Sequence, residues 1–139
     1  MTGDDSVIIK ATMQDYITVC RMVQNKQLGY ITPALLKKDI QANELYVLKA
    51  DNKIVCFAAR VYCAGFNNYA IKRLCVPNKK NKGKGYAGEL LHYLITTREC
   101  NMDLVCTPWI DNVAMRHMLE KNGMKLKYVF NKVWCLYET

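Results

Sequence analysis

The chain has 139 residues, a formal net charge of +8 and a hydrophobic content of 51%. This length predicts a single domain, residues 1–139, that can bury a core without disulfides or a metal ion. The apolar runs are too short to span a membrane, the acidic start at Asp4 and Asp5 argues against a signal peptide, and the positive charge favours an anionic partner.

The first half of the chain predicts one strand, two helices and a series of three hairpin strands. Thr12 is placed to cap the first helix, with Asp15 at the third following position. Pro33 stands at the first position of the second helix, where its missing N–H costs nothing. The predicted elements are a strand at 7–10, helices at 13–24 and 33–41, and strands at 45–50, 53–64 and 69–76.

The second half predicts two helices that alternate with strands. One helix covers 86–99; the other is capped by Asp111-Asn112 and stopped by Gly123. The predicted strands are 104–107, 127–130 and 133–137, the last two joined at Asn131-Lys132. The order β-α-α-β-β-β-α-β-α-β-β predicts a mixed α/β fold, with a central mixed sheet and helices on both faces.

The segment between the strand at 69–76 and the helix at 86–99 favours phosphate binding. Six basic residues and no acid lie between Lys72 and Lys84, and Gly83 and Gly85 stand directly before the helix. A helix N-terminus offers free N–H groups and partial positive charge, and glycines let the backbone approach an anion closely. Two glycines before a helix often form only a tight turn, and neither a Walker loop nor a Rossmann fingerprint is present.

Two stretches resemble the GCN5-related N-acetyltransferase (GNAT) family. Lys82-Gly83-Lys84-Gly85-Tyr86-Ala87 is similar to the family motif Gln/Arg-x-x-Gly-x-Gly/Ala, with Lys82 in place of the leading Gln or Arg. Asn112 through Leu119-Glu120-Lys121-Asn122-Gly123-Met124 is similar to the family's Asn-initiated helix that ends in Tyr-Glu-Lys-x-Gly-Phe. The resemblance covers residues 53–124, and the element order agrees over the whole chain.

The resemblance implies a GNAT-like fold that uses acetyl-CoA as co-substrate and no metal. The backbone amides of residues 82–87 would hold the pyrophosphate, and the strand backbone near Leu74 and Val76 would pair with the pantetheine arm. The thioester would lie between the strands at 69–76 and 104–107, where an N–H near Leu74 or Cys75 would stabilise the oxyanion. The expected cofactor-binding residues are Leu74, Cys75, Val76, Lys82, Gly83, Lys84, Gly85, Tyr86, Ala87 and Asn112.

The sequence assigns no catalytic residue. Leu119 stands where many family members carry a Tyr that acts as general acid. Lys72 and Arg73 stand on the strand where some members carry a Glu that acts as general base. A nucleophilic role for Cys75 or Cys106 is not expected, because no base lies near either in the sequence. The weak candidates for acid or base are His117, Tyr128 and Tyr137.

The seven cysteines indicate the compartment. Their number is odd, no two form a C-x-x-C pair, and most lie in apolar runs. These features are typical of buried, reduced thiols rather than of disulfides or a zinc site. We therefore expect a reducing, cytoplasmic location.

The sequence thus predicts an N-acetyltransferase that moves an acetyl group from acetyl-CoA to a primary amine of a small molecule, peptide or protein. Leu119 keeps open the alternative of a catalytically weak acyl-CoA-binding regulatory or interaction protein. A tRNA-borne acceptor is not favoured, and the chain is expected to be a monomer or a homodimer. The acceptor-side loop at 25–31 carries Lys26, Gln27 and Tyr30 but no carboxylate, which slightly disfavours cationic acceptors, although Asp15, Asp39 and Glu44 lie nearby in the sequence.

Overall fold

A computed structural model describes residues 6–24, 31–64, 68–99 and 102–139. The predicted loop residues Lys26, Gln27 and Tyr30, together with Cys100, lie outside these ranges. The strands are β1 (Ser6–Lys10), β2 (Leu45–Ala50), β3 (Lys53–Cys63), β4 (Asn68–Cys75), β5 (Asp103–Cys106), β6 (Lys125–Phe130) and β7 (Trp134–Glu138). The helices are α1 (Met13–Val23), α2 (Pro33–Gln41), α3 (Tyr86–Thr96) and α4 (Val113–Lys121).

The predicted order of strands and helices is confirmed. The strands form one seven-stranded sheet in the order β1-β2-β3-β4-β5-β7-β6. All neighbours are antiparallel except β4 and β5, which are joined through α3 and run parallel. The sheet is therefore mixed, as expected.

Several predicted ends differ by a few residues from the observed ones. α3 ends at Thr96 rather than at residue 99. At this end, the hydroxyls of Thr96 and Thr97 donate hydrogen bonds to carbonyl groups of the last helical turn. Arg60 also donates to the carbonyl of Leu94, which satisfies one of the end carbonyls that a helix leaves open. β6 begins at Lys125, two residues before the predicted start.

Two helices lie on each face of the sheet. α1 and α2 pack against one face, where Leu36 and Phe57 are fully buried. α3 and α4 pack against the other, where Leu91, Leu119 and Tyr137 share one core. This pairing leaves the α1/α2 side of β6 and β7 without a helix among the described elements.

Three further observations concern the described ranges only. No helix in them has the length and apolarity needed to cross a bilayer. No three possible metal ligands cluster there. The six cysteines within these ranges form no disulfide.

Candidate active site

A β-bulge shapes the middle of the sheet, near the end of β4. Phe57 of β3 pairs with Cys75 and Ala59 pairs with Lys72, so Arg73 and Leu74 together oppose one residue of β3. Arg73 has φ of 57°, which is the left-handed region that a non-glycine residue rarely adopts. A bulge of this kind bends its strand and re-aims the side chains near it.

The bulge turns two neighbouring basic side chains to the same face. Ile71 and Leu74 both pack in cores on the α3/α4 side of the sheet. Arg73 instead binds Asp39 of α2, on the opposite side. Lys72 follows the inward-facing Ile71, so strand alternation also places it on the α1/α2 side, where it is exposed.

Arg73 and Asp39 form a buried, two-pronged ion pair. Arg73 Nε donates to Asp39 Oδ2 at 2.5 Å and Arg73 Nη2 donates to Oδ1 at 2.8 Å. Asp39 is only 1% exposed and is the single buried charged residue in the described core. The fork geometry fixes the guanidinium in both position and angle, so α2 holds the strained bulge in place.

The sheet opens directly after this point. β4 and β5 pair only from Asn68 with Asp103 to Ala70 with Val105. Beyond Ala70 the two strands separate, and a cleft of about 620 Å³ lies between them. From Ile71 onward, β5 therefore no longer pairs with this edge of β4, and among the described strands none replaces it, which suits pairing with an extended ligand.

The cleft has two chemically different walls. Leu74 and Met115 contribute an apolar wall on the α3/α4 side, with Asn112 at its edge. Lys72 and Arg73 contribute a basic wall on the α1/α2 side. A ligand lying between β4 and β5 would therefore meet apolar surface on one side and positive charge on the other.

Two tryptophans form the far rim of the basic wall. The rings of Trp109 and Trp134 lie 4.7 Å apart, centroid to centroid. Cys135 and Tyr137 point into the core under α4, so alternation turns Trp134 to the α1/α2 side. Trp109 is 56% exposed and Trp134 39% exposed, which leaves both rings accessible from solvent.

The loop before α3 has the geometry of an anion site. Gly83 and Gly85 have φ of 81° and 83°, and a Cβ at either would meet no atom within 4 Å. Glycine is thus favoured here by backbone conformation rather than by crowding from the protein.

In the described part of the chain, no side chain caps the start of α3. Its N-cap is Gly85, whereas Thr32 of α2 accepts from the amide of Leu35 and Asn112 of α4 accepts from that of Met115. At α1, the Asp15 carboxylate accepts from the N-cap amide. Among the described residues, no protein acceptor is found for the amides of residues 83–88, so these donors are available to a ligand.

The structure distributes the predicted cofactor residues over two parts of one site. Lys82, Gly83, Lys84 and Gly85 are exposed in the loop, but the amide of Lys82 already donates to the carbonyl of Lys79 at 3.1 Å. The Tyr86 side chain is buried against the sheet and anchors the helix start. In the cleft itself, Leu74 and Asn112 line the walls. Cys75 and Val76 lie between the cleft and the loop, and Ala87 lies in the first turn of α3.

None of the weak acid or base candidates lines the cleft. His117 is exposed on α4 and Tyr128 is exposed on the edge strand β6. Tyr137 is fully buried, donates to Glu120 Oε2 at 2.5 Å and accepts from Arg116 Nε at 3.1 Å. Burial raises the pKa of Tyr137, and its hydrogen bond to the Glu120 carboxylate raises it further, which makes this phenol a poorer acid.

The cleft thiol is a poor nucleophile. Burial raises the pKa of Cys106 to about 12, against a small lowering by its hydrogen bond with the backbone of Thr107. Attack requires the thiolate, which is scarce near neutral pH at such a pKa. The raised pKa of the Cys106 thiol gives no support to a covalent intermediate at this residue.

A second cleft, of about 760 Å³, flanks the other side of the loop. It contains Lys80 and Lys84, but also Asp51 and Asp15, whose carboxylate lies 3.8 Å from Lys49 Nζ. This cleft contains both positive and negative side chains and does not lie between β4 and β5. It is therefore a weaker candidate for the acyl-transfer chemistry.

Sequence reasoning missed the two tryptophans and the ion pair of Asp39 with Arg73. Trp109 and Trp134 are 25 positions apart and come together only because β7 inserts beside β5, where they form an isolated bridge. Asp39 lies in an ordinary amphipathic pattern on α2. One signal was available, since Asp39 falls on the apolar stripe with Leu36 and Ile40, where a charge needs a partner.

No protein-family model matches this sequence, and neither does any curated protein. Solved structures do match over almost the whole chain. A GNAT-family acetyltransferase from Bacillus cereus superposes with a TM-score of 0.82, at 18% identity, with 96% of each chain covered.

The chain has the GNAT fold.

Two other structures with the GNAT fold contain ligands. Salmonella typhimurium yncA, solved with its cofactor acetyl-CoA, gives a TM-score of 0.76 at 15% identity over 97% of this chain and 93% of that one. Arabidopsis thaliana Naa50, in complex with the bisubstrate analogue CoA-Ac-MVNAL, gives 0.75 at 9% identity over 97% and 98%. The coverage shows that the described elements together make up the GNAT fold rather than a part of it.

Proposed function

We propose that this protein is an acetyl-CoA-dependent N-acetyltransferase that acetylates a primary amine. The proposal is carried by one juxtaposition: an uncapped, glycine-rich helix start lies at the same end of β4 as the gap between β4 and β5. The first feature suits a pyrophosphate and the second suits an extended arm. The acetyl-CoA in the similar yncA structure supports the choice of ligand.

The loop residues would hold the phosphates. The amides of residues 83–87 supply neutral donors, the α3 N-terminus supplies partial positive charge, and Lys82 and Lys84 supply full charges. Because Lys82 uses its own amide internally, its contribution would come from its side chain. No metal is required to neutralise the phosphates in this arrangement.

The pantetheine arm would extend from the loop into the cleft. Its amides would pair with the open edge of β4 near Leu74 and Val76, as an added strand does. Leu74 and Met115 would contact its apolar parts, and Asn112 lies at the edge of the same wall. The thioester would then reach the bulge, a few residues beyond Ala70, where β4 stops pairing with β5.

The reaction is an attack by a neutral amine on the thioester carbonyl. A C–N bond forms, the carbonyl oxygen gains negative charge, and the C–S bond breaks to release the coenzyme A thiolate. The N–H groups of Leu74 or Cys75, after the bulge, would stabilise the oxyanion. Solvent can take the proton that the amine loses and supply the one that the thiolate gains, since no His, Asp, Glu or Tyr side chain lines the described part of the cleft.

A catalytically weak acyl-CoA-binding protein is the second candidate. Leu119 is fully buried in the core with Leu91 and Met124, and no described tyrosine replaces the hydroxyl that is missing from this position. Without acid assistance, coenzyme A binding could persist while turnover is slow. The two candidate functions differ in the rate of acetyl transfer, but both require the binding of coenzyme A.

The test is to measure coenzyme A and acetyl-CoA binding by calorimetry, and then thiol release with a panel of amines. We expect micromolar-range binding and acceptor-dependent thiol release. Absence of binding would contradict both candidates, whereas tight binding without transfer to any amine would favour the second.

We also propose that the chain forms a single domain, that the protein is located in the cytoplasm, and that it is a monomer or a homodimer. The proposal of location rests on the cysteines, six of which form no disulfide in the described ranges. Titration of denatured, unreduced protein should count close to seven thiols. A count of five or fewer would contradict a reducing compartment.

A further inference from the structure

We infer that the acceptor is a small aromatic α-amino acid whose carboxylate binds Lys72 and whose ring packs on Trp109 and Trp134. The inference deepens the proposed function and rests on it for the position of the acetyl group. It follows from the charge and shape of the basic wall of the cleft. The contacts proposed above for acetyl-CoA do not use this wall.

The charge of the wall favours an acceptor of opposite, negative charge. Among the described residues that line the cleft there is no carboxylate, so nothing there would attract an ammonium or a polyamine. The nearest buried carboxylate, Asp39, is fully occupied by Arg73. This pairing leaves Lys72 as the uncompensated charge, since no ion pair or hydrogen bond of its side chain is found among the described residues.

A cation beside the reacting amine also helps the chemistry. A carboxylate next to an amine favours the protonated amine, and a Lys72 ammonium paired with that carboxylate offsets this effect, so that the neutral, nucleophilic form is more accessible. An acceptor that carries a carboxylate next to its amine is still attracted to the site. An α-amino acid has this combination, because its carboxylate and amine are attached to the same carbon.

The rim of the wall selects the side chain. Trp109 and Trp134 present two tilted rings 4.7 Å apart, and both are accessible. Two accessible tryptophans on a cleft rim are an unusual apolar surface for a protein to leave uncovered. Aromatic rings pack on such surfaces in offset or edge-to-face geometry, so an aromatic side chain fits this rim better than an aliphatic one.

The experiment uses the intrinsic fluorescence of the protein, which reports directly on the cleft because Trp109 and Trp134 are the only tryptophans in the chain. The protein is saturated with coenzyme A and titrated with L-phenylalanine, L-phenylalaninamide, L-alanine and spermidine. We expect a saturable change with L-phenylalanine, about tenfold weaker binding of the amide, and no saturable change with L-alanine or spermidine. Since binding is measured directly, the result does not depend on turnover.

Matched variants identify the residues responsible. Lys72→Met should weaken L-phenylalanine binding about tenfold and abolish the preference for the acid over the amide, whereas Lys121→Met, at an exposed lysine of α4, should change neither. Trp134→Phe should keep binding and Trp134→Ala should reduce it. Acetyl transfer from acetyl-CoA, measured in parallel, should follow the same order of acceptors.

The inference is overturned if L-phenylalanine gives no saturable change although coenzyme A binds, if the amide binds as well as the acid, or if Lys72→Met has no effect. A peptide or an aminoacyl-RNA that is preferred over the free amino acid would also overturn it. Loss of coenzyme A binding in the wild-type protein would instead contradict the proposed function itself.

Discussion

A glycine in the loop before α3 matters through its backbone conformation as well as through the space that its missing side chain leaves. Gly85 and Gly123 have closely similar geometry, with φ of 83° and 89°, and a Cβ added at either would have no atom within 4 Å. They differ in place, because Gly85 precedes α3 whereas Gly123 follows α4. The pair therefore separates the effect of strain from the effect on a ligand.

We predict that Gly85→Glu abolishes coenzyme A binding and that Gly123→Glu does not. Both changes should lower the free energy of unfolding by about 1–2 kcal/mol, since a side chain disfavours the left-handed region. Only the carboxylate at residue 85 would occupy and repel the phosphate position. Calorimetry and urea unfolding of both variants test this, and normal binding by Gly85→Glu would show that the pyrophosphate lies elsewhere.

Leu119 illustrates a residue whose role is packing. It is fully buried, and it lies in the core between α3, α4 and the C-terminal strands. Leu119→Ala should lower the free energy of unfolding by about 2–5 kcal/mol, because it leaves a cavity. Val113→Ala, on the same helix but 69% exposed, should change it by no more than about 0.5 kcal/mol; equal effects of the two would contradict the assigned packing.

At the scale of elements, the position of β4 depends on α2. The bulge places Arg73 at positive φ, and the buried Asp39 carboxylate holds its guanidinium with two hydrogen bonds. A strained backbone of this kind persists only where its surroundings determine it. The proposed oxyanion N–H groups follow immediately, so in this proposal α2 would support the site from outside the cleft.

We predict that Asp39→Ala lowers the free energy of unfolding by about 3–5 kcal/mol, because it leaves the Arg73 charge buried without compensation. Asp39→Ala combined with Arg73→Gly should be less destabilised, since glycine removes both the charge and the backbone strain. Denaturant unfolding of the single and double variants measures the coupling. Additive effects would show that the two residues stabilise the fold independently.

At the scale of the whole molecule, the net charge of +8 and the basic loop act together on an anionic ligand. Interactions between exposed charges weaken as salt shortens the Debye length. Backbone donors at a helix start are less sensitive, because their partial charges act at contact distance. The salt dependence of binding therefore separates the lysines from the amides.

We predict that coenzyme A affinity falls several-fold as salt rises from about 0.05 M to about 0.5 M, where the Debye length shortens from ~14 Å to ~4 Å. Lys84→Ala should reduce both affinity and salt dependence, and Lys121→Ala should leave both unchanged. Titration calorimetry at three salt concentrations is sufficient. An affinity that does not change with salt would assign the phosphates to backbone donors alone.

The sequence by itself determined the elements, their order and the glycine loop before α3. Each of these depends on local chemistry: apolar residues repeat at the period of a strand or a helix, Pro33 and Gly123 mark helix ends, and Gly83 and Gly85 permit positive φ. Such signals lie within a few residues of the structure they specify. The small errors occur at helix and strand ends, where side chains from elsewhere contribute, as Arg60 does at α3.

Only the tertiary structure decided the cleft and its walls. The bulge is a mismatch of register between β3 and β4, the gap exists because β4 and β5 stop pairing after Ala70, and Trp109 meets Trp134 only after β7 inserts into the sheet. Asp39 and Arg73 are 34 positions apart, and neither predicts the other. Pairing between distant segments is set by the packing of the whole sheet, and no periodicity in a single stretch of sequence records it.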